Sequence, residues 1–179
     1  CEEEGVVPDI LVLAKSLGGG IASIGATLCS SELHRRAFRG IPEALVATST
    51  FGGRATACAI GCDVLCETIE RDLPGRAADL GARLGAGLDA IARTHTAVVE
   101  AVRGRGFMRA IILRPGPLPS PFRRMLPGFE GVLGRHLPGL VAAELFAEGY
   151  LASPMLQESR ALRIYPPLPL PEGEIGPIL

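Results

Sequence analysis

The reading of this chain turns on Val7-Pro8-Asp9-Ile10-Leu11-Val12-Leu13-Ala14-Lys15-Ser16-Leu17-Gly18-Gly19-Gly20. The apolar run from Ile10 to Ala14 has the length and bounding signals of a buried strand. It stops at Lys15, and three glycines that can take φ > 0 follow almost at once. Lys15 is the only lysine, against seventeen arginines. A chain that writes every other such cation as arginine and keeps one lysine at a strand end is using an amine there. A guanidinium stays protonated and cannot form a Schiff base, whereas a lysine in a suitable site can lose its proton and react.

Working outward, Ile24 to Cys29 reads as a second buried strand, and Ser30 or Ser31 caps a helix running to about Phe38. Gly40-Ile41-Pro42 ends that helix, and the brief apolar stretch Leu45 to Ala47 leads into Thr48-Ser49-Thr50-Phe51-Gly52-Gly53. A loop of small polar residues before a helix offers free backbone N–H groups to a phosphate. The next helix spans about Arg54 to Arg71, with Ala57, Ile60, Val64 and Leu65 as its apolar face. Leu73-Pro74-Gly75 punctuates it, and a second helix runs from about Arg76 to Ala92 on Leu80, Leu84, Leu88 and Ile91.

Beyond that, Val98 to Val102 and Gly106 to Leu113 read as strands around an Arg103-Gly104-Arg105-Gly106 turn. Proline and glycine are dense from Arg114 to Pro138, which reads as a loop. A helix over Leu140 to Glu148 follows, then short strands at Tyr150 to Ser153 and Ala161 to Tyr165. Pro171-Glu172 opens a final helix. The expected class is α/β, with one domain boundary near Gly75.

Composition narrows the function. A net charge of -1 removes the bulk attraction that nucleic acid or an anionic membrane requires, so neither is expected as a partner. The uncharged window from Ser16 to Ser31 is diluted by glycine and serine and is no membrane span. There is no secretory signal pattern. Five cysteines, an odd number, do not make a disulfide framework, so a reducing, cytoplasmic compartment is expected. The chain opens at Cys1 without methionine, which suggests a piece of a longer polypeptide.

Two patterns invite chemistry and are read as structure. Cys58, Cys62 and Cys66 recur every four residues, but without histidine partners or loop spacing they read as small buried hydrophobes, and no metal is expected. Arg103-Gly104-Arg105-Gly106-Phe107 is a single copy between apolar strands and reads as a turn, not an RGG tract. His34, His95 and His136 are given no role. Gly18-Gly19-Gly20 follows its lysine and lacks a Gly-Lys-Ser/Thr ending, so it is no nucleotide loop.

Three segments together resemble one family. Pro8-Asp9-Ile10 through Lys15 to Gly20 is similar to the cofactor-lysine segment of class III, ornithine-aminotransferase-like pyridoxal-phosphate enzymes, with the putrescine-type (diamine) members nearest. Ser49-Thr50-Phe51-Gly52-Gly53 resembles that family's phosphate-binding loop, and Leu162-Arg163-Ile164-Tyr165-Pro166-Pro167-Leu168 its arginine segment. The resemblance spans about Gly5 to Ile175 and lapses between about Arg114 and Leu137, where extra residues stand. It departs at Ala47, often histidine in the family, and at Arg54-Ala55, often Asn-Pro.

The resemblance implies a fold-type-I transferase. Residues 1–75 would be the end of the large α/β/α cofactor domain, and 76–179 a connecting helix with a small α/β domain. It implies pyridoxal 5'-phosphate on Lys15, which also moves the substrate proton. Ser49 and Thr50 would hold phosphate, Thr50 that of a neighbouring subunit in a homodimer with composite sites. Arg163 would bind a carboxylate with its planar fork. The implied reaction passes an amino group from a primary amine, diamine or ω-amino acid to a 2-oxo acid such as 2-oxoglutarate. An aminomutase, a decarboxylase or a catalytically silent fragment are the alternatives, and the piece alone is expected to be inactive.

Overall fold

Residues 1, 4–46, 48–114 and 128–179 are described by the computed structural model. Ala47, with the departure noted there, and residues 115–127 of the proline-rich excursion lie outside them. The chain divides into two compact units, Cys1–Arg71 and Asp72–Leu179.

In the first unit, β1 (Ile10–Leu13) pairs antiparallel with β2 (Ala26–Cys29), Ile10 opposite Cys29 and Leu13 opposite Ala26. Between them lies a single 3-10 turn, Lys15–Gly18, left through Gly19 and Gly20 at φ 62 and 76°. Next come α1 (Ser31–Ala37), α2 (Ile41–Val46) and α3 (Ala55–Glu70). The Ser30 hydroxyl caps α1 by accepting the Leu33 N–H at 3.2 Å. Helix α3 rests on the turn after β1. A Cβ at Gly61 would meet Ile24 Cδ1 at 3.1 Å, and one at Gly19 would meet Val64 Cγ2 at 3.0 Å.

Several expectations change here. Both strands are short and largely exposed rather than buried, with Ile10 56% and Val12 70% accessible. A lone two-stranded ladder has too few neighbours to cover both of its faces. The stretch through Leu45 is helical, with Pro42 in the first turn of α2, where its missing N–H leaves no bond unmade. The three cysteines of α3 are exposed, not core. The buried residues are Ala57 and Gly61. The cysteines stand one position further on, so about 100° round the helix from that stripe. Leu65 lies on the exposed side with them.

The second unit begins with α4 (Leu73–Thr94). Leu73-Pro74-Gly75 is its first turn rather than a break, because the Asp72 carboxylate caps it by accepting the Gly75 N–H at 3.2 Å. A four-stranded antiparallel sheet follows in the order β3 (Val99–Arg105), β4 (Met108–Leu113), β6 (Ala161–Ile164), β5 (Ser153–Pro154). Leu80, Leu84 and Leu88 of α4 form the core with Phe107 and Ile175, and Val102, Ile111 and Ile164 pack against it from the sheet. The last core residue, Ile175, opens the short closing helix α6 (Ile175–Ile178).

The arginine-glycine segment is structural, although the turn itself is Gly106-Phe107 and Arg103 to Arg105 lie in β3. Arg109 staples it to α4. Its Nε donates to Gly106 O at 3.1 Å, Nη1 to Gly104 O at 3.0 Å and Nη2 to Gly81 O at 3.0 Å. Gly81 must be glycine for this, since a Cβ there would come within 2.4 Å of the Gly106 backbone.

Helix α5 runs Phe129–Ala147, starting well before the expected Leu140 and carrying Pro138 inside it. It packs against β4, β5 and β6. Pro138 is among the fully buried side chains, and burying its ring there offsets the backbone hydrogen bond it cannot make.

Candidate active site

Three segments carry the candidate residues. Lys15 and Ser49-Thr50 belong to the first unit, Arg163 to the second.

Lys15 stands where β1 ends, with φ 60°, one of two non-glycine residues at positive φ among those described. That conformation costs an L-residue about 1–3 kcal/mol and persists only where its surroundings over-determine it. The surroundings are visible: Leu17 N–H donates to Ala14 O at 3.3 Å and Gly19 N–H to Ser16 O at 2.9 Å. Leu17 and Gly18 are buried. The side chain is exposed, and among the described residues its amine has no hydrogen-bond or ion-pair partner.

The Thr48 to Gly53 loop folds on itself. Thr48 Oγ1 donates to Leu45 O at 2.9 Å, and Gly52 N–H donates to Ser49 O at 3.0 Å. Gly53 takes φ 69° and turns the chain into α3. The Ser49 and Thr50 hydroxyls are exposed and have no partner among the described residues. Arg54, the N-cap of α3, supplies no side-chain cap, so first-turn N–H groups of a 16-residue helix lack a side-chain acceptor from it. Arg54 Cζ lies 5.7 Å from the Phe51 ring. Open N–H dipoles and free hydroxyls are the donor set a phosphate takes.

Arg163 sits on β6 opposite Ala110 of β4 and Ser153 of β5. Its Nη2 donates to Ser153 Oγ at 3.1 Å, and its Cζ is 5.6 Å from the Tyr165 ring. No carboxylate of the described residues pairs with it. Among the described residues its charge meets only neutral groups. Ser153 and Tyr165 are partners that the sequence leaves unmarked: Ser153 is ten residues away and meets Arg163 only through strand pairing.

Within the first unit, an amine and hydroxyls without partners among the described residues are groups that a cofactor with an aldehyde and a phosphate would take; within the second, Arg163 offers a guanidinium suited to a carboxylate. Among the described residues no cluster of three or more metal-ligating side chains exists, and no helix is long and apolar enough to cross a membrane. A surface groove of about 440 Å³ lies elsewhere, lined by Ala37, Phe38, Glu43 and Val46, and holds none of the candidate residues.

Residues 1–121 match the family described as aminotransferase class-III. Over all 179 residues the chain is 32% identical to a putrescine aminotransferase of Pectobacterium atrosepticum, and covers 34% of that protein. Among solved structures, an acetylornithine aminotransferase from Elizabethkingia anophelis superposes with a TM-score of 0.80 at 26% identity, over 99% of this chain and 38% of that one. An amine transaminase from an uncultivated Pseudomonas species, in its pyridoxal-phosphate-bound form, superposes at 0.78 and 31% identity, over 99% and 38%. The chain thus spans about a third of the length of the curated relative.

Proposed function

Since the chain belongs to the class III aminotransferases, a pyridoxal-phosphate-dependent family of fold type I, we propose that it is the lysine-bearing part of a transaminase. The complete enzyme moves an amino group from a primary amine, diamine or ω-amino acid to a 2-oxo acid such as 2-oxoglutarate. The similarity to a putrescine aminotransferase and to an amine transaminase supports the donor class. Residues 1–75 then close the cofactor domain, and 76–179 form the connecting helix and small domain. The observation that carries this reading is Lys15: a single lysine held at φ 60° at a strand end, its amine without a partner among the described residues.

The bound cofactor supplies an electron sink that makes the substrate's C–H bond acidic. Lys15 Nζ would hold the cofactor covalently and, once free, would carry the proton between the substrate carbon and the cofactor's aldehyde-derived carbon. Ser49, Thr50 and the first turn of α3 bind the phosphate. Arg163 takes the α-carboxylate of the acid substrate in a two-pronged contact.

The test is borohydride reduction of the complete, cofactor-loaded protein followed by peptide mapping. The cofactor label is expected on Lys15, and a label on any other lysine overturns the assignment.

The enzyme is further read as a cytoplasmic homodimer with Thr50 reaching the partner's cofactor. The free cysteines support the compartment. Exposed Phe51 (72%) and Ile69 (76%) support a unit that further polypeptide covers. Thr50→Ala is expected to weaken cofactor binding about tenfold, the lower end for a hydrogen bond to a charged group. Ser49 and the N–H groups of α3 remain in place, which keeps the loss at that end. Titration of the apoenzyme with cofactor measures it, and sedimentation tests the dimer.

A further inference from the structure

We propose that Ser153 is a positioning residue that aims the Arg163 guanidinium without neutralising it. The inference rests on the reading of Arg163 as the carboxylate clamp. An arginine on a flexible arm makes a poor fork unless its plane is held, because most of its rotamers present the N–H pairs elsewhere. Here β5–β6 register sets Ser153 directly across from Arg163, and the hydroxyl oxygen accepts Nη2–H at 3.1 Å.

The hydroxyl is itself oriented. It donates its own hydrogen to Pro154 O at 3.2 Å, so a lone pair is left for the guanidinium. On the other strand neighbour, Ala110 offers no side-chain polar group to pull the fork away. Tyr165 follows two residues after Arg163, just past the end of β6, and its ring, 5.6 Å from Cζ, confines the plane further.

The chemistry of the holder matters as much as its place. A serine hydroxyl takes one of five guanidinium N–H groups and leaves the full charge and four donors for a carboxylate. An aspartate at the same position would hold the fork harder but occupy it as an ion pair, in competition with the acid substrate. A purely structural role for the Ser153–Arg163 contact predicts that aspartate serves as well as serine or better. A positioning role predicts the reverse.

The experiment uses the complete, cofactor-loaded enzyme and follows each half-reaction in single turnovers by cofactor absorbance. Ser153→Ala is expected to raise the apparent KM for the 2-oxo acid roughly two- to tenfold, less than the full worth of a hydrogen bond to a charged group because Arg163 itself stays in place, with the limiting rate little changed. Ser153→Thr keeps the hydroxyl and is expected to behave as wild type. Ser153→Asp is expected to raise KM more than alanine does. The half-reaction with a carboxylate-free amine is expected to be unchanged in all three. Because β5 is a two-residue edge strand, alanine there is expected to leave the unfolding midpoint unchanged. If Arg163→Lys impairs the acid half-reaction while Ser153→Ala does not, or if threonine is as poor as alanine, the positioning role is overturned and the clamp stands. If neither Arg163→Lys nor Ser153→Ala affects the acid half-reaction, the clamp itself is wrong and the inference falls with it.

Discussion

Lys15→Ala is expected to abolish transamination while cofactor still binds noncovalently. Loss of the proton carrier alone removes roughly 10²–10⁴-fold in rate. That is about 3–5.5 kcal/mol of barrier, before the loss of the covalent hold is counted. Alanine is the informative replacement because it keeps a Cβ at φ 60°, so the local backbone strain is the same and the loss is not one of folding. Lys15→Arg is not expected to restore activity, since a guanidinium gives up no proton under these conditions. A small exogenous primary amine is expected to return part of the rate to Lys15→Ala. Single-turnover absorbance changes measure all three, and an alanine variant within tenfold of wild type removes Lys15 from the chemistry.

Arg163→Lys is expected to separate the two half-reactions. Lysine keeps the positive charge and the long-range attraction, but presents a point ammonium in place of a planar fork. Losing one charge-assisted hydrogen bond costs about 1.5–3 kcal/mol, or roughly ten- to a hundredfold in kcat/KM for a 2-oxo acid or amino acid. The half-reaction with a carboxylate-free amine has nothing to bind there and is expected to stay near wild type. A general folding defect would instead depress both together. Equal loss in both, or none with the acid, returns Arg163 to a structural role in its sheet.

The residues of the candidate site were legible because each carries a local signal. Lys15 is marked by being the only lysine and by the glycines after it, and the hydroxyl loop by the helix that follows. Arg163 is marked by the proline-bounded strand in which it stands. What the sequence misplaced were faces and ends. Cys58, Cys62 and Cys66 share the helical spacing of a core stripe, yet the stripe that packs is Ala57 and Gly61, one step away. Pro74 and Pro138 look like breaks. One falls in a first turn that has no bond to lose, and the other inside a helix whose packing on the sheet outweighs the missing bond.

The sequence by itself determined most of the elements, the cap at Ser30, the lysine at a strand end and the small polar loop before a helix. These are settled by hydrogen bonds and sterics within a few neighbouring residues, so they can be read along the chain. Only the tertiary structure decided that Arg109 staples its hairpin to Gly81, twenty-eight residues away. It likewise decided that Lys15 is held at positive φ over α3, and that Ser153 faces Arg163 across a ladder. Such contacts depend on strand register and on which helix face meets which partner. A shift of one residue in either would replace every neighbour involved.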